Sequence, residues 1–444
     1  MQIDPTRQPA GGLFFESRAG IKKPAVSKKE TLVKKILLVL AFLGLSVSAD
    51  ESPPAAKTLS IFEHIDKARE MLSSETPAPL YRSTKNKKQM LIGKETLRVT
   101  LRPDGSLRLV RIDILFANQK DSRGKRIKSV VSSVEPEECV AERIGGGGVN
   151  SNYQITCGGQ VETVLASKDL LLDSKGREVR TFDGRNQAIY VPYSDALATS
   201  EVIETGNAYI HGQISRAAEE LRNAKVYSRA AQGKLVADIF SEELLFRLSL
   251  MEHIDEEEFE AKGVEYSANK VLTQFGLNKG DTFQYAISRT GALCLMQIMP
   301  STYRPLVPTY RAAKMPKDPR RGACGNHVSG IKTAYLVLDS KLQAMPPEFK
   351  KRFAEDPETY GIYLAAAYNG GEGRARALFQ KTQSPKFKLM EFIDDLFEKL
   401  RIKRGKISPK ERSRIANEKK DLKVLRRETW IFIKKYFEIA NRKN

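Results

Sequence analysis

Between residues 91 and 200 the apolar positions recur with period two. Leu97, Val99 and Leu101 alternate with polar neighbours as far as Pro103-Asp104-Gly105. Leu107 and Leu109 resume the alternation, and Ile112 and Ile114 follow after a slip in register. Alternation broken by strong turn chemistry predicts half-buried strands joined as a hairpin. Asp173-Ser174-Lys175-Gly176 and Asp183-Gly184 mark further turns. From 201 onward the period is helical: Ile210, Ile214, Ala217, Ala218 and Leu221 fall on one face. Helical segments separated by Gly/Pro loops then continue to the end. The expected class is α+β, a small antiparallel β domain (91–200) followed by a mostly α-helical domain (201–444).

Upstream lies one compact apolar run, Ile36 to Leu45. Lys34 and Lys35 precede it, and Ser46-Val47-Ser48-Ala49 follow. A basic start, a short apolar core and a small-x-small site make a secretory signal, with cleavage expected after Ala49. The alternative is a buried core helix; ten apolar residues are short for a membrane span. Residues 1–49 are therefore read as an N-terminal extension and signal peptide, with Val33 or Leu32 as the expected initiator. Residues 50–90 read as a linker with one helix near Leu59–Leu72.

Composition narrows the setting. The 444 residues are 41% hydrophobic and 29% charged, which excludes a disordered chain, and 30 Gly with 20 Pro exclude a collagen-like one. Lys and Arg number 74 against 54 Asp and Glu, a net charge of +20. Such a field attracts polyanions: nucleic acid, anionic lipid, or a carboxylate-bearing polymer such as a cell wall. Twelve of the cations, against three acids, lie between Arg401 and Arg427. That run reads either as a solvated face or as a contact for an anionic polymer. Export would let the four cysteines form disulfides. Cys139 and Cys157 flank Gly145-Gly146-Gly147-Gly148 and fall opposite each other if the glycines form a hairpin tip. Cys294 and Cys324 form a second candidate pair; four buried thiols are the alternative.

The chain has no His-Glu-x-x-His site, no Gly-Lys-Ser/Thr phosphate loop and no Gly-x-Ser-x-Gly elbow, and only four His. Two segments are unlike helix filler. Ser288-Arg289-Thr290-Gly291-Ala292-Leu293-Cys294-Leu295-Met296-Gln297 leads into Pro300-Ser301-Thr302, and Ala365-Ala366-Ala367 is followed by Tyr368-Asn369-Gly370-Gly371. Gly291-Ala292 reads as a helix start without bulk. Met296 and Gln297 pair an adaptable apolar contact with an amide suited to an acetamido sugar. Asn369-Gly370-Gly371 should end the alanine-faced helix, since Asn and Gly tolerate left-handed geometry.

In this order the two segments resemble the soluble lytic transglycosylases, relatives of goose-type lysozyme. Arg427-Glu428-Thr429-Trp430-Ile431-Phe432 resembles a third, weaker family element. The resemblance covers about residues 205–440 and implies a lysozyme-like helical domain. It departs from the pattern at His253 (family Ser), Cys294 (family Gly) and Phe432 (family Tyr), and in about 27 extra residues before Gly291.

The resemblance also implies a catalytic glutamate upstream of Gly291. Glu252, Asp255, Glu256, Glu257, Glu258, Glu260 and Glu265 compete for that role. On a continuous helix from Leu244, residues Leu244, Leu245, Leu248, Met251 and Phe259 share a stripe that includes Glu252 and Asp255. A carboxyl there is desolvated, which raises its pKa toward that of a general acid. Glu252 matches the family position best; Asp255 and a structural role are the alternatives. The resemblance implies a single-Glu reaction that cleaves the MurNAc–GlcNAc β-1,4 bond without water and leaves 1,6-anhydroMurNAc. Met296, Gln297, Tyr368 and Asn369 would hold the sugars, and Ser288 would steady the loop or the acetamido group. No metal or cofactor is implied. The expected partner is the glycan strand of peptidoglycan, not nucleic acid, with an envelope protein as a possible partner of the β domain. The expected site of action is the periplasm or cell envelope of a bacterium. A non-catalytic peptidoglycan-binding scaffold and a hydrolysing muramidase of the same fold are the competing readings.

Overall fold

A computed structural model describes residues 59–442 except 84–88, 121–125, 147, 173–176, 179, 181–183 and 383–426. The signal-like segment, the turn at Asp173–Gly176 and the basic run up to residue 426 lie outside the described residues. Helix α1 (Ile61–Ser73) opens the described chain with a capping box, in which Ser60 and Glu63 satisfy each other's backbone N–H groups. Its apolar face, Ile65, Ala68 and Leu72, packs onto the sheet that follows.

That sheet is antiparallel and has eight strands: β1 (Pro79–Ser83), β2 (Gln89–Leu101), β3 (Leu107–Lys120), β4 (Arg126–Glu135), β5 (Cys139–Gly145), β6 (Asn152–Cys157), β7 (Gln160–Leu170) and β8 (Gln187–Tyr190). The main order is β4-β3-β2-β7-β6-β5, with β1 on β2 and β8 on β7. The expected hairpin is β2–β3, turned between Arg102 and Ser106. The expected slip after Leu109 is not present: pairing runs unbroken from Gly93↔Leu115 to Leu101↔Leu107. The apolar set changes parity because both faces of the sheet are covered. Leu107 and Leu109 turn toward α1, whereas Val110, Ile112 and Ile114 join Tyr153, Ile155 and Val164 in a second cluster on the other face. Cys139 and Cys157 stand directly opposite each other on β5 and β6 and are joined as a disulfide.

Among the described residues ten α-helices follow: α2 (Ser200–Asn223), α3 (Glu242–Met251), α4 (Glu256–Asn278), α5 (Pro300–Thr309), α6 (Pro319–Cys324), α7 (His327–Gln343), α8 (Pro347–Glu355), α9 (Pro357–Gly370), α10 (Glu372–Thr382) and α11 (Arg427–Ala440). Helix α9 is buried at every residue from Tyr360 to Ala367 and forms the axis of this layer. The extra residues before Gly291 are largely α4, which crosses α2 with the two backbones in contact. A Cβ on Gly206 would lie 1.9 Å from the Leu272 carbonyl oxygen, and one on Gly276 would lie 2.1 Å from that of Val202.

Helix α4 also ties the helices to the sheet. The amide of buried Asn278 accepts from Val191 N–H at 2.8 Å and donates to Val191 O at 2.9 Å. Arg69 of α1 donates to Leu277 O at 2.8 Å. Leu277 and Val202 share one apolar cluster with Leu97, Val99, Leu165 and α1.

Gly276→Ala should cost about 1–3 kcal/mol, because its contact is backbone and the helices must separate. Gly212→Ala, which faces open space on α2, should be neutral or stabilising by up to about 1 kcal/mol. Urea unfolding of the two variants checks this, and equal stabilities would contradict the close crossing.

Candidate active site

Helix α3 starts at a Ser241 cap that accepts from Leu244 N–H, and every residue from Leu244 to Met251 is buried. The continuous helix assumed for the stripe does not form. Glu252 closes α3 as its C-cap, and the chain turns at His253 and Ile254 before Asp255 adopts extended geometry. The Asp255 carboxylate accepts from Glu258 N–H at 2.9 Å and starts α4. Asp is a strong N-cap, and here the cap breaks a pattern that periodicity would continue. Asp255 is thus an exposed cap. Glu258 is bound by Lys270 at 2.7 Å, and Glu265 by Arg442 at 2.8 Å.

Glu252 keeps part of its surface open, yet the protein packed around its carboxyl removes most of the water. This desolvation pushes its pKa from 4.5 up to about 8, against the opposing pull of the Lys435 ammonium. Among the described residues no hydrogen bond or ion pair reaches the carboxyl. Lys435, on α11, is itself buried and donates to Ile254 O at 2.6 Å, inside the same α3–α4 break. Burial lowers its pKa, and Glu252, Glu256 and Asp255 oppose that shift. Half-buried Tyr368, near the C-terminal end of α9, is also within electrostatic reach of Glu252. Burial first and that carboxylate second hold its phenol well above the ordinary range.

Gly291-Ala292 does not open a helix; α5 begins only at Pro300. The segment between is a tight turn closed by the bridges Ile287↔Leu293 and Leu293↔Ile298. Cys294 (φ 55°) and Gln297 (φ 45°) sit in the left-handed region, a cost of roughly 1–3 kcal/mol each for such residues. A helix would hide the carbonyls of this turn; here they accept from side chains. Cys294 O accepts from Gln297 Nε2, Leu295 O from His253 Nε2 and Met296 O from Tyr368 Oη, each at 2.7 Å. His253 also stacks on Phe283 with ring centres 3.5 Å apart. Burial, with a further push from His327, drives its pKa down to about 3, although the bond to Leu295 opposes this. His327 donates through Nε2 to Thr282 O at 2.8 Å and accepts from Tyr209 at 3.0 Å, and burial lowers it to about 4. Cys294 and Cys324 are joined as a disulfide that ties the turn to the end of α6.

The residues expected to hold sugars divide. Met296 is fully buried and packs in the core. Ser288 accepts from Ala292 N–H at 2.9 Å and steadies the loop. Gln297 is half-buried, with its amide N–H spent inside the turn. Tyr368 lies within electrostatic reach of Glu252. Asn369 is exposed, and its Oδ1 accepts from Thr429 of α11 at 3.0 Å. Gly370 makes room for that threonine, since a Cβ there would lie 2.7 Å from Thr429 Oγ1. Sequence reasoning missed Lys435 and the anchoring role of His253. A lone lysine three residues past Phe432, on the buried face of an apolar helix, was the available signal. Among the described residues no group of three His, Cys, Asp or Glu side chains is arranged to hold a metal ion.

Residues 282–391 match the family model of the transglycosylase SLT domain, which makes this a transglycosylase-type enzyme acting on peptidoglycan. The matched stretch, 110 of the 444 residues, gives the chain a transglycosylase SLT domain. The match begins beyond α4, so Glu252 and every strand lie outside it. No curated protein and no solved structure matches the chain.

The elevated pKa makes Glu252 a source of instability at high pH. Between 4.5 and about 8 the folded carboxyl keeps a proton that the unfolded one releases, so stability falls as pH rises through that window. Glu252→Gln removes the effect. The margin by which its Tm exceeds that of the wild type should grow across the window and level off above it. A margin independent of pH in thermal unfolding would show that Glu252 titrates normally.

Proposed function

We propose that the chain cleaves the β-1,4 bond between N-acetylmuramic acid and N-acetylglucosamine without water, with Glu252 as the only acid and base. The observation that carries this reading is a desolvated carboxyl with no partner among the described residues, placed beside Tyr368. With a pKa near 8, Glu252 is protonated at neutral pH and can donate to the glycosidic oxygen. The bond from the anomeric carbon to that oxygen breaks, and the 2-acetamido carbonyl supports the positive charge left behind. The Glu252 carboxylate so formed faces the Lys435 ammonium, which stabilises it. It then takes the proton of the muramyl 6-hydroxyl as that oxygen bonds to the anomeric carbon. The proton count closes, and the product is a 1,6-anhydromuramyl end.

Glycosidases with two carboxylates need a second one across the bond. Of the acids that follow in sequence, Asp255 caps α4, and Glu258 and Glu265 are in ion pairs. Gln297, Tyr368 and Asn369 are the residues at this site that retain exposed surface for sugar contacts. The setting that follows is the bacterial envelope. The sheet is suited to docking there, with Val140 and Ile144 exposed on β5.

Mass spectrometry of purified sacculi digested with the protein should find muropeptides ending in 1,6-anhydromuramic acid, one water lighter than hydrolysis products. Glu252→Gln should lower release by a factor on the order of a thousand or more while sacculus pelleting is unchanged. Reducing ends would identify a hydrolysing muramidase instead. Binding without cleavage by the wild type would identify a scaffold.

A further inference from the structure

The side chains around Glu252 are held by one short turn. The carbonyls of Cys294, Leu295 and Met296 accept, in order, from Gln297, from the residue that follows Glu252, and from Tyr368. The distance between the acid and the tyrosine therefore depends on where this turn sits. The turn is not a conformation the chain favours, because Cys294 and Gln297 both have left-handed φ. Its own backbone ties are the Ile287↔Leu293 and Leu293↔Ile298 bridges, a bond from Cys294 N–H to Ala286 O at 2.7 Å and one from Gln297 N–H to Cys294 O at 3.2 Å. Leu293, Leu295, Met296 and Ile298 pack in the core, and the one covalent tie is the link from Cys294 to Cys324, both buried, at the end of α6.

We propose that the Cys294–Cys324 disulfide is the positioning element of the site, and that the chain cleaves glycan at its full rate only once this pair is oxidised. The proposal rests on Glu252 as the acid. Closure consumes two thiols and a disulfide oxidant, such as an oxidised dithiol of the envelope or a small disulfide in vitro. One sulfur–sulfur bond forms between Cys294 and Cys324, the bond in the oxidant breaks, and two electrons and two protons leave with it as two thiols. Until then the turn is free to relax, and Leu295 and Met296 no longer set His253 and Tyr368 against Glu252. The other disulfide, Cys139–Cys157, joins two strands of the sheet and touches none of these residues, so it serves as an internal control.

The test uses the full chain, assayed well below the melting temperature of each variant. Cys294→Ala with Cys324→Ser should lower kcat on the order of tenfold to a hundredfold, with KM within about twofold of wild type. Cys294→Gly with Cys324→Ser should recover part of the loss, since glycine adopts the left-handed turn without cost. Cys139→Ser with Cys157→Ser should leave kcat within about twofold. A second readout does not depend on cleavage. The chain has four histidines, and imidazole NMR follows each one. His253, faced by Glu252, His327 and the Phe283 ring, titrates near 3 when buried and should return toward 6.5 once the turn is loosened. An inactive wild type with a normal His253 would count against Glu252 as the acid and leave the positioning role standing. Full kcat together with an unshifted His253 in the Cys294→Ala, Cys324→Ser variant would overturn the proposal.

Discussion

A carboxyl held away from water with no partner among the described residues is costly, and the helical layer is arranged around that cost. A mobile surrounding would let water in or let the side chain swing out, and either would return Glu252 to an ordinary titration. The surroundings are therefore rigid. Helix α3 is buried from Leu244 to Met251, and α9 from Tyr360 to Ala367. The break between α3 and α4 is fastened twice, by His253 to the turn and by Lys435 from α11. Lys435 also limits the cost. Its charge offsets part of the desolvation, so the acid stays near neutrality and is not locked in the protonated form.

The fold class was legible because it rests on local chemistry. The β2–β3 hairpin is written in the alternation of Leu97, Val99 and Leu101 and in the Pro103-Asp104-Gly105 turn. The register of Cys139 against Cys157 follows from the glycines between them. The end of α9 at Gly370, with Gly371 at φ 87°, follows from its Asn-Gly-Gly sequence.

What could not be read depends on contacts distant in sequence. Helical periodicity carries Phe259 into the stripe of Leu244 and Met251, and gives no weight to the Asp255 cap that ends it. The segment at Gly291 looks like a helix start, because nothing local reveals that three of its carbonyls will be claimed by His253, Tyr368 and Gln297. Met296 looks like a groove residue by composition and is core by position. Lys435 lies far along the chain from the Ile254 carbonyl it binds, and no pattern within α11 announces that bond.

The Asn278 amide pairs with both backbone groups of Val191, as a neighbouring strand would. Strip away the sheet and that amide, Leu277 and Val202 would face water together. Strip away α4 and the sheet would lose the surface that α1 and Val191 lean on. The two layers are thus not beads on a string that recombination could reshuffle one at a time. A lineage carrying this arrangement must inherit sheet, long helix and the turn at Cys294–Gln297 as a single heritable piece, and drift in one is answerable to the other.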